Sequence, residues 1–267
     1  MPEISVIIPV FEAGATLRRA VESVAIQGFT PQQVEIVLAP DDHGDYGWIR
    51  PLWPAVKILP QRYWRTGTGA SRNRAIARAR GRYLAFLDAD DAWGEGYLEA
   101  MLPLARRHGA AFAPTRVISA KGKTLMTMAE GRRYFRLEDL GVWPGSFRPL
   151  VRREYCPRFI DGAGQDIIHA IEVLGQMGGE APLAADTSYH LYLRQGSITT
   201  DPRYSWRIDQ QYQRMIRMIR SGKTALSGPE PARAISALEA RRRWNRKWTS
   251  SDGHTEGFYG YVAAHLK

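Results

Sequence analysis

Apolar and polar positions along this chain switch between two spacings, and the switching divides the first hundred residues into alternating strands and helices. Residues 4–11 form a nearly unbroken apolar run ended by Pro9. That is the pattern of a strand buried on both faces of a largely parallel sheet. Residues 14–27 follow with Leu17, Val21 and Val24 at helical spacing. Residues 34–39 predict a second strand that leads into Pro40, Asp41, Asp42, His43 and Gly44, a loop of turn formers. Gly67 to Asn73 predicts a loop feeding a helix through Arg80, with Ser71 at its N-cap and Gly81 as its stop.

The run 83–87 predicts a further buried strand with Asp88, Asp90 and Asp91 at its carboxyl end. Open α/β sheets bind ligands outside the carboxyl ends of their strands, which makes this acidic triplet the candidate site. Asp88 and Asp90, with small Ala89 between them, suit one divalent cation bridging a diphosphate. Such an ion takes only one or two protein carboxylates when phosphates complete its shell. The same triplet ahead of Ala92 and Trp93 also suits a strand end and the N-cap of a helix near Glu95.

Residues 96–108 predict a helix kinked at Pro103, residues 110–118 a strand, and the segment around Gly122 a turn. Ile167, Ile168, Ile171 and Leu174 recur at helical spacing in a helix that Asp166 starts. Residues 188–199 alternate like a strand; their lone His190 reads as a packed or surface residue, with a metal-ligand or acid role as the alternative. Beyond these, 204–220 and 231–248 predict two helices joined by a segment rich in Gly, Ser and Pro. In the second, Arg241, Arg242, Arg243, Arg246 and Lys247 alternate with Trp244 and Trp248. Two readings fit: a solvated basic face with its indoles packed inward, or a helix that meets an anionic membrane surface.

Composition narrows the classes. With 44% hydrophobic and 24% charged residues, the 267-residue chain has a globular balance and not a disordered one. Its single Cys156 excludes an intramolecular disulfide and a Cys-based metal cluster. That suits a reducing, cytoplasmic compartment. The start of the chain has no basic segment followed by a long apolar one, so it reads as a strand and not as a signal peptide. No window reaches the length of a membrane span. A net charge of +10 points to an anionic partner.

Val6-Ile-Ile-Pro-Val-Phe11, the strand around Glu35 with acidic residues after it, Gly67 to Arg72-Asn73, and Gly81-Arg-Tyr-Leu-Ala-Phe-Leu-Asp-Ala-Asp-Asp91 together resemble the family 2 glycosyltransferases in order and spacing. The resemblance implies a GT-A fold, a nucleotide-sugar donor with a UDP-sugar first, Mg²⁺ or Mn²⁺ at the Asp-x-Asp motif, and inversion at the anomeric carbon. It implies that Pro9, Val10, Phe11 and Glu12 line the nucleoside pocket and that Asp41 faces the base. Arg72 and Arg194 would lie near the donor phosphates, Asp88 on the ribose or sugar side, and Asp90 on the metal. Asp166 would be the catalytic base, with Asp161 or Asp91 as substitutes. Asp91, Trp93 and Gln165 would meet the acceptor. Two departures from the family pattern stand out. Pro40 occupies the first of two Asp positions unless the register slips to Asp41 and Asp42, and Gln165 replaces the Glu before the base. Tyr192, Arg194 and Ser197 match the family's Tyr-Arg-Ser element only in outline.

The expectation is therefore an α/β fold of GT-A type with a mostly parallel central sheet. A donor half spans 1–115, an acceptor half 116–201 and a basic helical C-terminal extension 202–267. The expected protein is cytoplasmic and peripheral at an anionic membrane, with no nucleic-acid partner and an acceptor the sequence does not identify. Two competitors remain. A sugar nucleotidylyltransferase would need a Gly- and Arg-containing loop after the first strand, where this chain has Pro9 to Glu12. A non-catalytic nucleotide-sugar or polyanion-binding protein would keep the fold without the chemistry.

Overall fold

The computed structural model describes residues 1–61, 64–194, 204–251 and 257–266. Its first part alternates β1 (Ile4–Val10), α1 (Leu17–Ala25), β2 (Val34–Pro40), β3 (Lys57–Ile58), α2 (Thr68–Arg78) and β4 (Tyr83–Phe86). Next come β5 (Ala92–Trp93), α3 (Tyr97–His108), β6 (Ala110–Ala111), β7 (Thr115–Ile118), β8 (Thr124–Met128) and β9 (Tyr134–Arg136). The last part holds α4 (Asp139–Val142), β10 (Leu150–Arg152), α5 (Gln165–Gln176), β11 (Glu180–Pro182), β12 (Tyr189–Tyr192), α6 (Tyr204–Arg220), α7 (Glu230–Thr249) and α8 (Gly257–His265).

The main sheet runs β3-β2-β1-β4-β10-β6. Its first four strands are parallel, and β10 is antiparallel to both neighbours. The unbroken apolar runs are explained by two cores. Ile4, Val6 and Ile8 pack on the face covered by α1 and α3, whereas Ile7, Val37 and Phe86 pack on the face covered by α5 and α6. Gly81 lets the α2–β4 connection lie against β1, because a Cβ there would come 2.4 Å from the Ser5 backbone nitrogen. The Gly81 N–H donates to Ser5 Oγ at 2.7 Å instead.

Three local expectations change. The acidic triplet does not cap a helix: the chain passes into β5, which pairs with β12 in a second sheet ordered β5-β12-β7-β8, and α3 starts only at Tyr97. The single strand expected over 110–118 breaks into β6 of the main sheet and β7 of the second. Pro114, which has no N–H to give a ladder, lies in the break. A third tail helix, α8, also forms.

The tail is not an appendage. Ile208, Met215, Ile219, Leu238, Phe258 and Val262 belong to the same buried core as α5. Arg241, expected at a surface, is 2% exposed. Its guanidinium donates to the carbonyls of Leu140 at 2.8 Å and Gly145 at 2.7 Å and to the Tyr212 hydroxyl at 3.1 Å. It thereby satisfies carbonyls left open after the short helix α4. Arg242 pairs with Asp209 at 2.8 Å. Trp244 and Trp248 meet Tyr261 and Phe258 edge-on, so the indoles face inward as the first of the two readings had them. Arg241→Gln, which keeps a polar end but loses the fork, is expected to lower unfolding free energy by roughly 1.5–3 kcal/mol. Urea denaturation followed by circular dichroism checks this, and an unchanged midpoint would count against the role.

Candidate active site

The carboxyl ends of β1, β2 and β4 meet around a cavity of about 450 Å³. Pro9, Val10 and Phe11 come from the end of β1, Asp41 follows β2, and Asp88 and Asp90 follow β4. Arg65 and Arg194 bring positive charge to its lining. Of the residues predicted for the donor, Glu12 and Arg72 do not line it. Glu12 is exposed with φ of 49°, and its N–H donates to Asp42.

Of the two carboxylates after β2, Asp41 faces the cavity. It lies at the cavity, accepting Thr66 Oγ1 at 2.6 Å, Gly67 N–H at 2.7 Å and Thr66 N–H at 3.0 Å. Burial pushes its carboxyl up, but these bonds and Arg74 outweigh it, leaving Asp41 below the ordinary range. Asp42 turns the other way, bonded to the Tyr46 hydroxyl at 2.6 Å. Asp41 therefore holds the loop that starts α2. Gly69, in the first turn of α2, makes room for protein backbone, since a Cβ there would sit 2.3 Å from the Ile160 carbonyl oxygen, whereas Gly67, with φ of 92°, lines the cavity.

Below the cavity lies a chain of alternating charge. Arg72, expected beside a phosphate, is fully buried beneath Asp88, pairing with its Oδ1 and standing over the Phe159 ring. Arg148 pairs with the other oxygen of Asp88 and, through Nη1 at 2.6 Å, with Asp166 Oδ2. Ser146 Oγ donates to that same Oδ2. Among the described residues no donor reaches Asp166 Oδ1. Burial raises both carboxyls, yet the charges of Arg148 and Arg72, with the Ser146 hydrogen bond at Asp166, more than offset it, so Asp88 and Asp166 are both held below the usual range.

Asp90 differs. Its side chain is 32% exposed and meets Arg194 Nε at 3.0 Å. Arg19, stacked 3.6 Å from the Tyr192 ring centroid, donates to the Asp90 carbonyl. Burial and the nearby Asp88 charge raise its carboxyl above the ordinary value, with Arg194 offsetting part of this. Among the described residues no group of three His, Cys, Asp or Glu is placed to hold a metal. Asp88 has both oxygens on guanidinium groups, so the donor set fits a divalent ion through Asp90 alone, with phosphate oxygens making up the rest.

The expected acceptor residues point elsewhere. Asp91 is 5% exposed and joins the two sheets, accepting the Tyr189 hydroxyl at 2.7 Å and the Tyr192 N–H at 2.9 Å. Burial and the charges of Asp90 and Asp88 push it well up. Trp93 is buried and stacked on Tyr97, and Gln165 is buried at the start of α5. None of the three lines the cavity. Asp161 is exposed, and its carbonyl accepts Arg214 at 3.1 Å. His190 meets Ser188 Oγ at 3.0 Å and does not line the cavity. Ser197 lies outside the described residues. Sequence reasoning missed Arg148, Arg65 and Tyr189, whose hydroxyl also accepts the Asp88 N–H at 3.1 Å. The one signal for Arg148 was a lone cation in the aromatic and Pro-flanked stretch from Trp143 to Pro149.

Comparison with known proteins identifies the family and the fold. Succinoglycan biosynthesis protein ExoO of Rhizobium meliloti is 27% identical over 230 residues, covering 74% of this chain and 63% of that protein. The UDP-Glc:alpha-D-GlcNAc-diphosphoundecaprenol beta-1,3-glucosyltransferase WfgD of Escherichia coli is 30% identical over 112 residues, 41% of this chain and 43% of that protein. The chain thus spans less than two thirds of the length of these curated relatives. Among solved structures, S. aureus TarS 1–349 in complex with UDP-GlcNAc superposes with a TM-score of 0.70 at 16% identity, over 90% of this chain and 72% of that one. The mannosyltransferase PcManGT from Pyrobaculum calidifontis in complex with GDP-Man and Mn²⁺ gives a TM-score of 0.62 at 16% identity, over 98% and 74%. The fold is of GT-A type. The profile of glycosyl transferase family 2 matches residues 5–161, more than half of the sequence, and the chain belongs to that family.

Proposed function

We propose that this protein is a glycosyltransferase that moves a sugar from a nucleotide-sugar donor, a UDP-sugar first, to an acceptor hydroxyl in a single inverting displacement at an anionic membrane surface. The observation that carries the proposal is one cavity with Asp41 and exposed Phe11 at one side, Asp90 and Arg194 at the other, and Asp166 reached from Asp88 through Arg148. Its volume suits a ligand of nucleotide size. The UDP-Glc in the name of WfgD and the UDP-GlcNAc bound to TarS support uridine over guanosine, and the GDP-Man bound to PcManGT makes guanosine the second choice.

In this mechanism Phe11, which lines the cavity and is 42% exposed, offers a ring face to the base, with the Arg65 guanidinium 5.8 Å from its centroid. Arg65 and Arg194 meet the diphosphate, where planar guanidinium donors match phosphate oxygens. Asp90 would hold a Mg²⁺ or Mn²⁺ ion, which would supply Lewis-acid neutralisation of the leaving diphosphate. Asp166 Oδ1 takes the proton of the attacking hydroxyl while Arg148 and Ser146 fix the carboxylate through Oδ2.

Incubation with a panel of nucleotide sugars, metal and an acceptor mixture tests the reading. Nucleoside-diphosphate release is expected. Pyrophosphate formation would instead mark a nucleotidylyltransferase, and binding without turnover a binding protein.

Asp90→Ala is expected to abolish the metal dependence of nucleoside-diphosphate binding, read by calorimetry with and without Mn²⁺. Because the folded-state pKa of Asp90 is raised, protons compete with metal at a higher pH than for an ordinary Asp. Metal-dependent affinity of the parent should therefore fall as pH drops through that raised value. A metal response that survives in the mutant removes Asp90 from the role.

A further inference from the structure

The tail concentrates the charge of the molecule. From residue 204 onward the chain holds twelve Lys and Arg against five Asp and Glu, an excess of seven within a net charge of +10. Part of it is used internally, among others by buried Arg241, by the Arg242–Asp209 and Arg233–Glu138 pairs and by Arg214 on the Asp161 carbonyl. The exposed remainder forms two stripes. On α6, Trp206, Gln210, Arg217 and Arg220 face outward at positions i, i+4, i+11 and i+14, one side of a helix. On α7, Arg243, Arg246 and Lys247 are exposed.

The stripes adjoin. Asn245 Nδ2 donates to the Ser205 carbonyl at 2.9 Å, and Arg242 pairs with Asp209 at 2.8 Å, which sets the helices antiparallel and brings Arg246 level with the start of α6. There the Trp206 indole is 68% exposed. Cations flanking an exposed Trp match an anionic headgroup layer, since Trp settles at the lipid–water boundary. No helix of the described residues is long and apolar enough to cross a membrane, so contact would be at the surface.

The same end of α6 borders the candidate active site. Gly164, two residues before Asp166, lies against Ile208 and Met215 of α6. We propose that the α6–α7 face docks on an anionic lipid bilayer with Trp206 in the interface, and that the acceptor is carried by a membrane lipid whose sugar reaches Asp166 past the start of α6. The second half rests on the glycosyl-transfer reading; the first does not.

Co-sedimentation of the full chain with phosphatidylcholine vesicles, with and without phosphatidylglycerol, tests the docking. Binding is expected only with phosphatidylglycerol, and it should weaken as salt rises, because exposed charges are screened over about 8 Å at physiological ionic strength. Replacing Arg217, Arg220, Arg243 and Arg246 together with Gln should lower vesicle affinity more than about ten-fold, and Trp206→Ser should lower it separately. The same replacement at exposed Arg78, Arg80, Arg82 and Arg107, outside the tail, should leave it unchanged. Absence of binding to anionic vesicles, or equal losses in the two charge sets, overturns the surface. Binding that ignores Trp206 and is competed fully by a soluble polyanion overturns it in favour of a nucleic-acid or polyanion site. Donor-dependent nucleoside-diphosphate release is measured alongside: release without vesicle binding sinks the docking alone, and vesicle binding without release sinks the transfer reading alone.

Discussion

Asp166→Asn is expected to lower sugar transfer by about 10² to 10⁴-fold while donor affinity stays near that of the parent. Asn keeps the size of the side chain and an oxygen for Ser146 Oγ and Arg148 Nη1, so the pocket keeps its shape. What disappears is the basicity of the oxygen that receives the acceptor proton. The salt contact with Arg148 makes Asp166 a weak base, and the arrangement compensates by position: both fixing donors fall on Oδ2. Initial rates with saturating acceptor, set beside calorimetric titration of the nucleoside diphosphate, separate the two effects. A mutant that transfers at close to the parent rate would return Asp166 to a structural role and bring Asp161 forward. Asp91 is a poorer substitute, because Tyr189 and the Tyr192 amide already occupy both its oxygens.

Arg148→Ala should be the most damaging single change to stability in the site, costing about 3–5 kcal/mol, because it strips a buried cation from two buried carboxylates at once. Arg72 still serves Asp88, so Asp166 bears most of the loss. The pH dependence gives a second readout. Asp166 has a folded pKa below its unfolded value, so the stability it contributes is present above the unfolded value and is lost as pH falls through the lowered one. Without Arg148 the folded pKa rises, and the acid limb of both stability and transfer should move to higher pH. Arg148→Lys restores the charge but not the fork that spans Asp88 and Asp166, and should recover stability only in part. Urea midpoints across a pH series check this. An Arg148→Ala protein as stable as the parent, with the same acid limb, would refute the clamp.

The donor side was legible because its signals are local. Buried parallel strands announce themselves as apolar runs, and the acidic residues that follow fall at the sheet edge by connectivity alone. Asp41, Asp88 and Asp90 were placed that way. The errors share one cause, which is that side-chain direction over long sequence separations leaves no periodic trace. Arg72 looks like a loop cation until Phe159 and Asp88 close over it. Asp91 looks like an acceptor-facing carboxylate until Tyr189, almost a hundred residues on, takes its oxygen. Arg241 sits in the most basic run of the chain, yet its fork answers carbonyls a hundred positions earlier. A charge run in sequence is not a charge patch in space, and the outward cations had to be found from the pairing of α6 with α7.

The position of β10 has a consequence for synthesis of the chain. β4 can pair with β1 as soon as both have left the ribosome, but its other edge waits for Leu150–Arg152, 64 residues after Phe86. At translation rates of 5–20 residues per second that is roughly 3 to 13 s during which an apolar strand offers unpaired backbone groups. Open strand edges of this kind template pairing between chains. Nascent chains stalled between residues 90 and 145 should therefore be the species that chaperones hold, and a fragment ending at Thr115 should aggregate where the whole chain folds.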